Sequence, residues 1–313
     1  GVSFELRRGE TLGVVGESGS GKTALVRSIM GLLPRGVRHS GEVLFEGRDL
    51  LGMSRGELRG VLGSRIAMVF QDPMTSLHPI MRIGPQITEA LHLHREMSRS
   101  EARDAAVEML RSLHIPEAER RLNQYPHELS GGMRQRVMIA IALVCGPDLL
   151  IADEPALDVT IGAQVLELLG EQQRLRDMAM ILITHDLGLV ATHADRIAVM
   201  YAGKVVERAP TRRLFTDRRM PYTAALMDAI PRLDQSRDRL LAIPGRPPSL
   251  RNPPVGCRFA PRCPRAVERC RTEEPPLLES EVPGHAYACW FPVEGDLSLP
   301  LEVVGLSSGD SGD

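Results

Sequence analysis

The sequence lacks the features that mark membrane-spanning proteins and strongly nucleic-acid-binding proteins. No apolar run in its 313 residues approaches the ~18 residues that a membrane-spanning helix needs. The formal net charge is only −2, which argues against an unusually basic nucleic-acid-binding surface. The first residues do not resemble a signal peptide either. We therefore expect an intracellular protein whose role at a membrane, if it has one, depends on a partner.

The first informative motif is a glycine-rich segment. Residues 16–23 match G-x-x-x-x-G-K-[ST] and lie between a predicted strand at 11–15 and a predicted helix at 24–30. Glycines let backbone N–H groups close on an anion, and a helix N-terminus adds a favourable dipole, so this context predicts a phosphate-binding loop. We expect Lys22 to reach the β- and γ-phosphates of a nucleotide and Thr23 to bind Mg²⁺. The predicted nucleotide-binding residues of the loop are Gly16, Glu17, Ser18, Gly19, Ser20, Gly21, Lys22 and Thr23.

A second apolar run, residues 149–152, ends in two carboxylates, Asp153 and Glu154. Open α/β sheets bind ligands at the carboxyl ends of their strands, so this position favours a catalytic role. Asp153 is suited to holding Mg²⁺ through water, and Glu154 to polarising the water that attacks the γ-phosphate. The alternative is that the strand simply ends in a solvated acidic turn without a catalytic role. The phosphate loop upstream favours the catalytic interpretation.

Strand and helix patterns alternate between residues 147 and 203, which predicts a parallel sheet covered by helices, the α/β fold of P-loop NTPases. Apolar residues recur at helical spacing from about residue 82 to 122. After residue 231 the composition shifts to prolines, then to four of the five cysteines, and finally to Ser, Gly and Asp. We predict an ATPase domain over residues 1–231, with a helical subdomain at about 72–136. Residues 232–313 are predicted to form an extension with a proline-rich linker, a small cysteine-rich segment and a disordered tail.

The third motif is the run Leu-Ser-Gly-Gly-Met-Arg-Gln-Arg at residues 129–136. Ser130 is a predicted helix N-cap, Gly131 and Gly132 permit close backbone approach, and the helix that follows points its positive end at an anion. The run resembles the signature motif of ABC-type ATPases. That resemblance implies that the motif contacts the γ-phosphate held by the opposite subunit, with ATP enclosed in a head-to-tail dimer.

Three further positions support the resemblance. Gln71 is similar to the Q-loop glutamine, which senses Mg²⁺ and water and couples to the membrane subunit. His185 is similar to the switch histidine, and Asp158 to the D-loop aspartate. The resemblance thus implies catalytic roles for Glu154, His185 and Gln71, Mg²⁺ contacts for Thr23, Gln71 and Asp153, and nucleotide contacts for Ser130, Gly131, Gly132 and Asp158.

The segments at residues 71–79, 131–136, 200–204, 221–223 and 256–264 resemble the ATPase subunits of dipeptide, oligopeptide and nickel importers. The family implies ATP hydrolysis that powers import of a peptide, or of a related solute such as nickel, at the cytoplasmic face of the membrane. The implied partners are a second ABC ATPase subunit, identical or different, two transmembrane permease subunits and an extracytoplasmic solute-binding protein, without nucleic acid.

Two other functions remain open from the residues. One is a nucleotide-binding regulatory subunit with weak turnover. The other is a soluble ABC ATPase that acts on DNA or ribosomes, which the single cassette and the absence of a basic block disfavour.

The sequence departs from the family at two places. Family members usually carry a short Thr/Ser pair between the positions of Pro155 and Ala156, so the spacing from Glu154 to Asp158 is here two residues shorter. This loop must place Glu154 in one site while Asp158 reaches across the dimer. Catalytic geometry tolerates little displacement, so the shortening is compatible with nucleotide binding but calls hydrolysis into question. We also expect the chain, which starts at Gly1, to lack the N-terminal strand that carries the adenine-stacking aromatic residue.

Four cysteines are spaced as C-x5-C-x6-C-x18-C, at Cys257, Cys263, Cys270 and Cys289. This spacing is not a zinc-finger signature, and a reducing compartment disfavours disulfides. Two other interpretations remain: the four cysteines are buried structural thiols, or they form a Cys₄ site for a metal ion or a cluster. A short proline-rich tail lacks the core to fold unaided, which favours a metal. Resemblance to the peptide importers favours a [4Fe–4S] cluster over zinc.

Overall fold

The computed structural model describes residues 1–34, 36–37, 40–70, 76–155, 159–229 and 243–293. Within these residues the strands are β1 (Thr11–Val15), β2 (Leu44–Phe45), β3 (Arg48–Asp49), β4 (Ile66–Val69), β5 (Leu149–Asp153), β6 (Ala179–Ile183), β7 (Arg196–Tyr201), β8 (Lys204–Pro210), β9 (Leu278–Glu279) and β10 (Ala286–Tyr287). The α-helices are α1 (Lys22–Ile29), α2 (Arg55–Val61), α3 (Ile83–His94), α4 (Arg99–Ser112), α5 (Ala118–Arg121), α6 (Gly131–Leu143), α7 (Val159–Arg176), α8 (Leu187–His193), α9 (Thr211–Thr216), α10 (Pro221–Asp228) and α11 (Glu268–Thr272). In the part of the chain so described, none of these helices is both long and apolar enough to cross a membrane.

The chain divides into two compact units. Unit 1 consists of Gly1–Leu6, Thr11–Leu25 and Leu182–Asp313, and unit 2 of Arg7–Glu10 and Val26–Ile181. The predicted boundary between residues 231 and 232 lies outside the described residues, as do the first residues of the predicted helical subdomain. Both divisions of the chain therefore stay predictions.

Unit 2 combines parallel strands with a group of packed helices. Strands β4 and β5 run parallel, with Ile66 opposite Leu149, and β6 is the next neighbour of β5. Helices α3, α4 and α6 pack against one another, as the 3–4 spacing of apolar residues predicts. A capping box formed by Ser98 and Glu101 begins α4. The core of this unit includes the fully buried residues Leu110, Ile139, Leu143, Leu150 and Ile151.

Unit 1 contains a sheet that is only partly parallel. Strands β1 and β7 are parallel, but β7 turns back into antiparallel β8, and β8, β10 and β9 continue antiparallel. The reversal is a two-residue turn in which Ala202 has φ +45° and Gly203 has φ +84°. Positive φ at both positions is the geometry of a type I′ hairpin, whose twist matches that of its strands. The prediction of a parallel sheet covers residues 147–203, and the antiparallel strands that follow this range make the sheet mixed.

The C-terminal segment of unit 1, residues 243–293, anchors itself through an aromatic cluster. The fully buried ring of Phe259 lies 5.4 Å from the rings of both Tyr201 and Tyr222, and the two tyrosine rings are 4.4 Å apart. Such tilted ring pairs stabilise packing beyond the area that they bury. The segment is thereby fixed to the end of β7 and to α10.

Candidate active site

The phosphate loop occupies the turn between β1 and α1, as predicted. Gly16, Gly19 and Gly21 have φ values of +151°, +79° and +103°, which side-chain-bearing residues rarely adopt. A Cβ atom on Gly16 would lie 2.2 Å from the carbonyl oxygen of Met200. Glycine is therefore required at Gly16 for space as well as for conformation.

The side chains of the loop fit a bound phosphate. The Lys22 ammonium, in a residue only 6 % exposed, donates to the carbonyl oxygens of Gly16 (2.7 Å) and Glu17 (3.1 Å). The Ser20 hydroxyl is buried and has no hydrogen-bond partner among the described residues. Thr23 is exposed in the first turn of α1, where its hydroxyl suits a metal ion beside the helix N-terminus. A buried hydroxyl without a partner is unfavourable unless a ligand supplies one, which matches the chemistry of a nucleotide phosphate.

The backbone of the loop is braced by the rest of unit 1. The N–H of Gly203 donates to the carbonyl oxygen of Ser20 (2.7 Å), and the N–H of Glu17 donates to the hydroxyl oxygen of Tyr222 (2.9 Å). The Glu17 carboxylate accepts two hydrogen bonds from Arg262, at 2.6 and 2.9 Å. The hydrogen bonds to the Glu17 carboxylate are the main reason why the pKa of the Arg262 guanidinium is raised. Sequence reasoning missed Arg262, because no local pattern links residues 245 positions apart.

Of the two predicted catalytic carboxylates, Asp153 ends β5 in unit 2 and Glu154 follows it directly. Asp153 is buried, and Glu154 is half-buried with φ +46°, in the left-handed region. This conformation costs a residue with a side chain of the order of 1–3 kcal/mol. The carbonyl oxygen of Pro155, the next residue, accepts a hydrogen bond from the buried amide of Gln135 on α6. The turn that carries Glu154 is therefore strained and is tied to the helix that follows the signature motif.

The signature motif forms an open helix N-terminus, also in unit 2. Ser130 caps α6 by accepting a hydrogen bond from the N–H of Met133 (3.3 Å), which confirms the predicted N-cap. Gly131 and Gly132 are exposed, and a Cβ atom on either would meet nothing within 4 Å. Backbone N–H groups at this end of the helix are therefore accessible to an anion.

The predicted switch histidine, His185, lies in unit 1 just after β6 and is exposed. The turn around it is fixed, because the N–H of Asp186 donates to the Thr184 hydroxyl (3.0 Å) and the Asp186 carboxylate caps α8. Gln71 and Asp158 lie outside the described residues, so the structure does not test their predicted roles.

The four C-terminal cysteines line one cavity in unit 1, together with Phe259 and Trp290. All five cysteines of the chain are free thiols. Burial raises the pKa of Cys257 and Cys263, and that of Cys289 to about 11, and neighbouring thiols add to the effect at all three. Among the described residues, no group of three or more His, Cys, Asp or Glu side chains is arranged to hold a single metal ion. The fifth cysteine, Cys145, is buried in unit 2 against Leu91 and Ala102, where it acts as a small core residue.

Comparison with known proteins agrees with these motifs. A model of the ABC transporter family matches residues 1–157, and a model of the oligopeptide/dipeptide transporter C-terminal region matches residues 206–270. The chain is 51% identical over 295 residues to the oligopeptide transport ATP-binding protein OppD of Salmonella typhimurium, an alignment that covers 94% of this chain and 88% of that protein. It is 50% identical over 296 residues to the dipeptide transport ATP-binding protein DppD of Bacillus subtilis, with coverage of 93% and 88%.

A solved structure gives the same result for the fold. The ATP-binding cassette MJ0796, in a dimeric post-hydrolysis state bound to ADP and Pi, matches with a TM-score of 0.58 and 29% identity. The match covers 67% of this chain and 89% of that one. The chain belongs to the ABC transporter ATPases. The match of the C-terminal region and both relatives place it among the ATP-binding subunits of the oligopeptide and dipeptide transporters, which confirms the resemblance of the motifs.

Proposed function

We propose that this chain hydrolyses ATP to power the import of peptides, or of a related solute such as nickel, through a membrane ABC transporter. The observation that carries the proposal is the presence in one chain of a braced phosphate loop, an open signature helix and the C-terminal region of the oligopeptide/dipeptide transporters. The names of the relatives, which are transport proteins for oligopeptides and dipeptides, support peptides as the solute.

The proposed assembly contains a second ABC ATPase subunit, two transmembrane permease subunits and an extracytoplasmic solute-binding protein. The dimeric state of the MJ0796 cassette supports the first of these partners. The chain would work from the cytoplasmic face of the membrane, as a peripheral subunit, and without nucleic acid.

Each proposed site residue has a distinct chemical role. Residues 16–22 would bind the phosphates, with Lys22 on the β- and γ-phosphates, and Thr23 would hold Mg²⁺ together with Asp153 and Gln71. Glu154 would orient the attacking water, and His185 would contact the γ-phosphate. Ser130, Gly131, Gly132 and Asp158 would complete the second subunit's site from across the dimer.

Transport by a purified complex tests this proposal. The chain is assembled with its permease subunits in lipid vesicles, and uptake of a labelled peptide is measured with ATP and with ADP. We expect uptake only with ATP, and none when Lys22→Ala replaces the parent chain. Uptake of nickel but not of any peptide would reassign the solute, and ATP-independent uptake would contradict the proposal.

A regulatory subunit with weak turnover is the second candidate, favoured by one observation. The spacing from Glu154 to Asp158 is two residues shorter than in the resembled family, which calls the catalytic geometry into question. A chain that binds MgATP with its partners but shows no ATPase above background would support this candidate. Turnover that depends on Glu154 would exclude it.

We also propose that Cys257, Cys263, Cys270 and Cys289 hold a [4Fe–4S] cluster, with zinc as the alternative. Their joint position on one cavity supports a shared centre. A zinc ion needs its sulfur ligands about 2.3 Å from one point, whereas a cluster spreads its cysteine ligands around a larger core. No group of three or more His, Cys, Asp or Glu side chains in the described residues is arranged to hold a metal ion, so the preference for the cluster over zinc rests on the resemblance to the peptide importers alone. Bound there, the cluster would crosslink a segment that has little core of its own.

Metal analysis of anaerobically purified chain separates these alternatives. Iron with acid-labile sulfide, lost in Cys263→Ser but kept in Cys145→Ser, supports the cluster. Zinc at one ion per chain, without iron or sulfide, supports a zinc ion bound by the four cysteines. Metal-free protein whose C-terminal segment resists protease would contradict both.

A further inference from the structure

A single arginine connects the cysteine-rich segment to the phosphate loop within unit 1. Arg262 ends the short 3₁₀ helix Ala260–Arg262, immediately before Cys263. Its side chain is only 3 % exposed, and its guanidinium binds the Glu17 carboxylate in a two-pronged contact. An arginine is suited to this geometry because its planar fork matches the two oxygens of a carboxylate.

The remaining donors of Arg262 are also used. They reach the carbonyl oxygens of Pro244 (2.9 Å) and Ile243 (3.1 Å) and the hydroxyl of Tyr201 (3.3 Å). With the two bonds to Glu17, these contacts match the number of N–H donors that a guanidinium carries. Arg262 is therefore held in one orientation, and Glu17 is held with it.

Glu17 in turn has three contacts that define the loop. Its side chain binds Arg262, its N–H binds the Tyr222 hydroxyl, and its carbonyl oxygen accepts from the Lys22 ammonium. Lys22 is the predicted phosphate ligand, so the orientation of Glu17 is coupled to that of the phosphate-binding lysine.

The charges give this arrangement a second consequence. Glu17 places a carboxylate inside a loop that must receive a polyphosphate anion, and like charges a few ångströms apart repel each other. Arg262 neutralises that carboxylate from the side of the C-terminal segment. Without it, the loop would present an unpaired, partly buried negative charge beside the ligand.

We propose that Arg262 is a positioning residue for ATP binding, which acts through Glu17 so that the C-terminal segment sets the affinity of the phosphate loop. The inference rests on the proposed function only in that the loop binds MgATP. It concerns substrate binding rather than the chemical step, so it predicts a change in KM with little change in kcat.

The test is a double-mutant cycle on the full chain. Arg262→Gln is expected to raise the Kd for MgATP about tenfold, because it leaves the Glu17 carboxylate unpaired. At saturating ATP, kcat should change by less than about twofold. Adding Glu17→Gln should restore most of the affinity, because the neutral pair leaves no uncompensated charge.

Two further variants keep the test informative if Arg262→Gln folds poorly. Arg262→Lys keeps the charge but loses the two-pronged contact, and it should raise the Kd by roughly threefold. Arg246→Gln, an exposed arginine of the same segment, is the matched control and should leave the Kd unchanged. Thermal unfolding is measured for every variant, so that lost affinity can be separated from lost folding.

Four outcomes are decisive. A parent-like Kd in Arg262→Gln would overturn the inference, as would a double variant no tighter than the single one. Equal losses in Arg262→Gln and Arg246→Gln would show a general effect of charge and would also overturn it. Failure of the parent chain itself to bind MgATP would contradict the proposed function instead.

Discussion

The phosphate loop and the end of the strand at Glu154 differ in how well their conformations are supported. The loop is held by contacts from the β7–β8 turn, from α10 and from the C-terminal segment, and its positive φ values fall on glycines. Glu154 itself has a positive φ, and the sequence between Glu154 and Asp158 is two residues shorter than in the resembled family. The residues proposed to bind the nucleotide are thus held by many contacts. The segment proposed to activate water differs in length from that of the resembled family. The comparison indicates that binding and hydrolysis can be separated experimentally in this chain.

The largest effect is expected from Glu154→Gln. Loss of the group that orients the nucleophile should lower ATP hydrolysis by at least ~10²-fold while the Kd for MgATP stays unchanged. Phosphate release and equilibrium binding measure the two quantities on one sample. Glu167→Gln, an exposed carboxylate on α7, is the control. Equal rates for Glu154→Gln and the parent would show that another group activates the water.

Lengthening the turn should sharpen the comparison. Insertion of a Thr-Ser pair between Pro155 and Ala156 is expected to raise kcat by about tenfold, because small displacements of a catalytic group are costly to rate. The KM for ATP should change little. The same pair inserted between Arg251 and Asn252, which are exposed in unit 1, should leave both constants unchanged. A lower kcat in the lengthened chain would mean that the short turn is adapted to this sequence.

A smaller effect is expected in the phosphate loop. Ser20→Ala removes a buried hydroxyl that has no partner among the described residues, so thermal stability should not fall. Loss of one hydrogen bond to a phosphate should raise the Kd for MgATP roughly threefold to tenfold. Ser28→Ala, on α1 beyond the loop, is the control. A parent-like Kd together with lower stability would assign Ser20 a structural role.

Local signals account for the features that the sequence predicted. The strands at 11–15 and 149–153, the Ser130 cap and the helices between residues 82 and 122 all depend on apolar periodicity or capping chemistry within a few residues. The mixed sheet was not predicted, although Ala202-Gly203 could have marked the hairpin. The contact between Glu17 and Arg262 had no such signal, since it depends on how distant segments pack.

The central proposal is that the phosphate loop of this chain binds MgATP and that the shortened spacing after Glu154 slows its hydrolysis. The most direct test measures, on one preparation with its partner subunits, the binding of MgATP and the rate at which bound ATP becomes ADP. The account predicts saturable binding of one MgATP per chain and slow conversion that the Thr-Ser insertion accelerates. Tight binding with conversion already as fast as in the lengthened chain would contradict the claim, as would a folded chain that binds no MgATP.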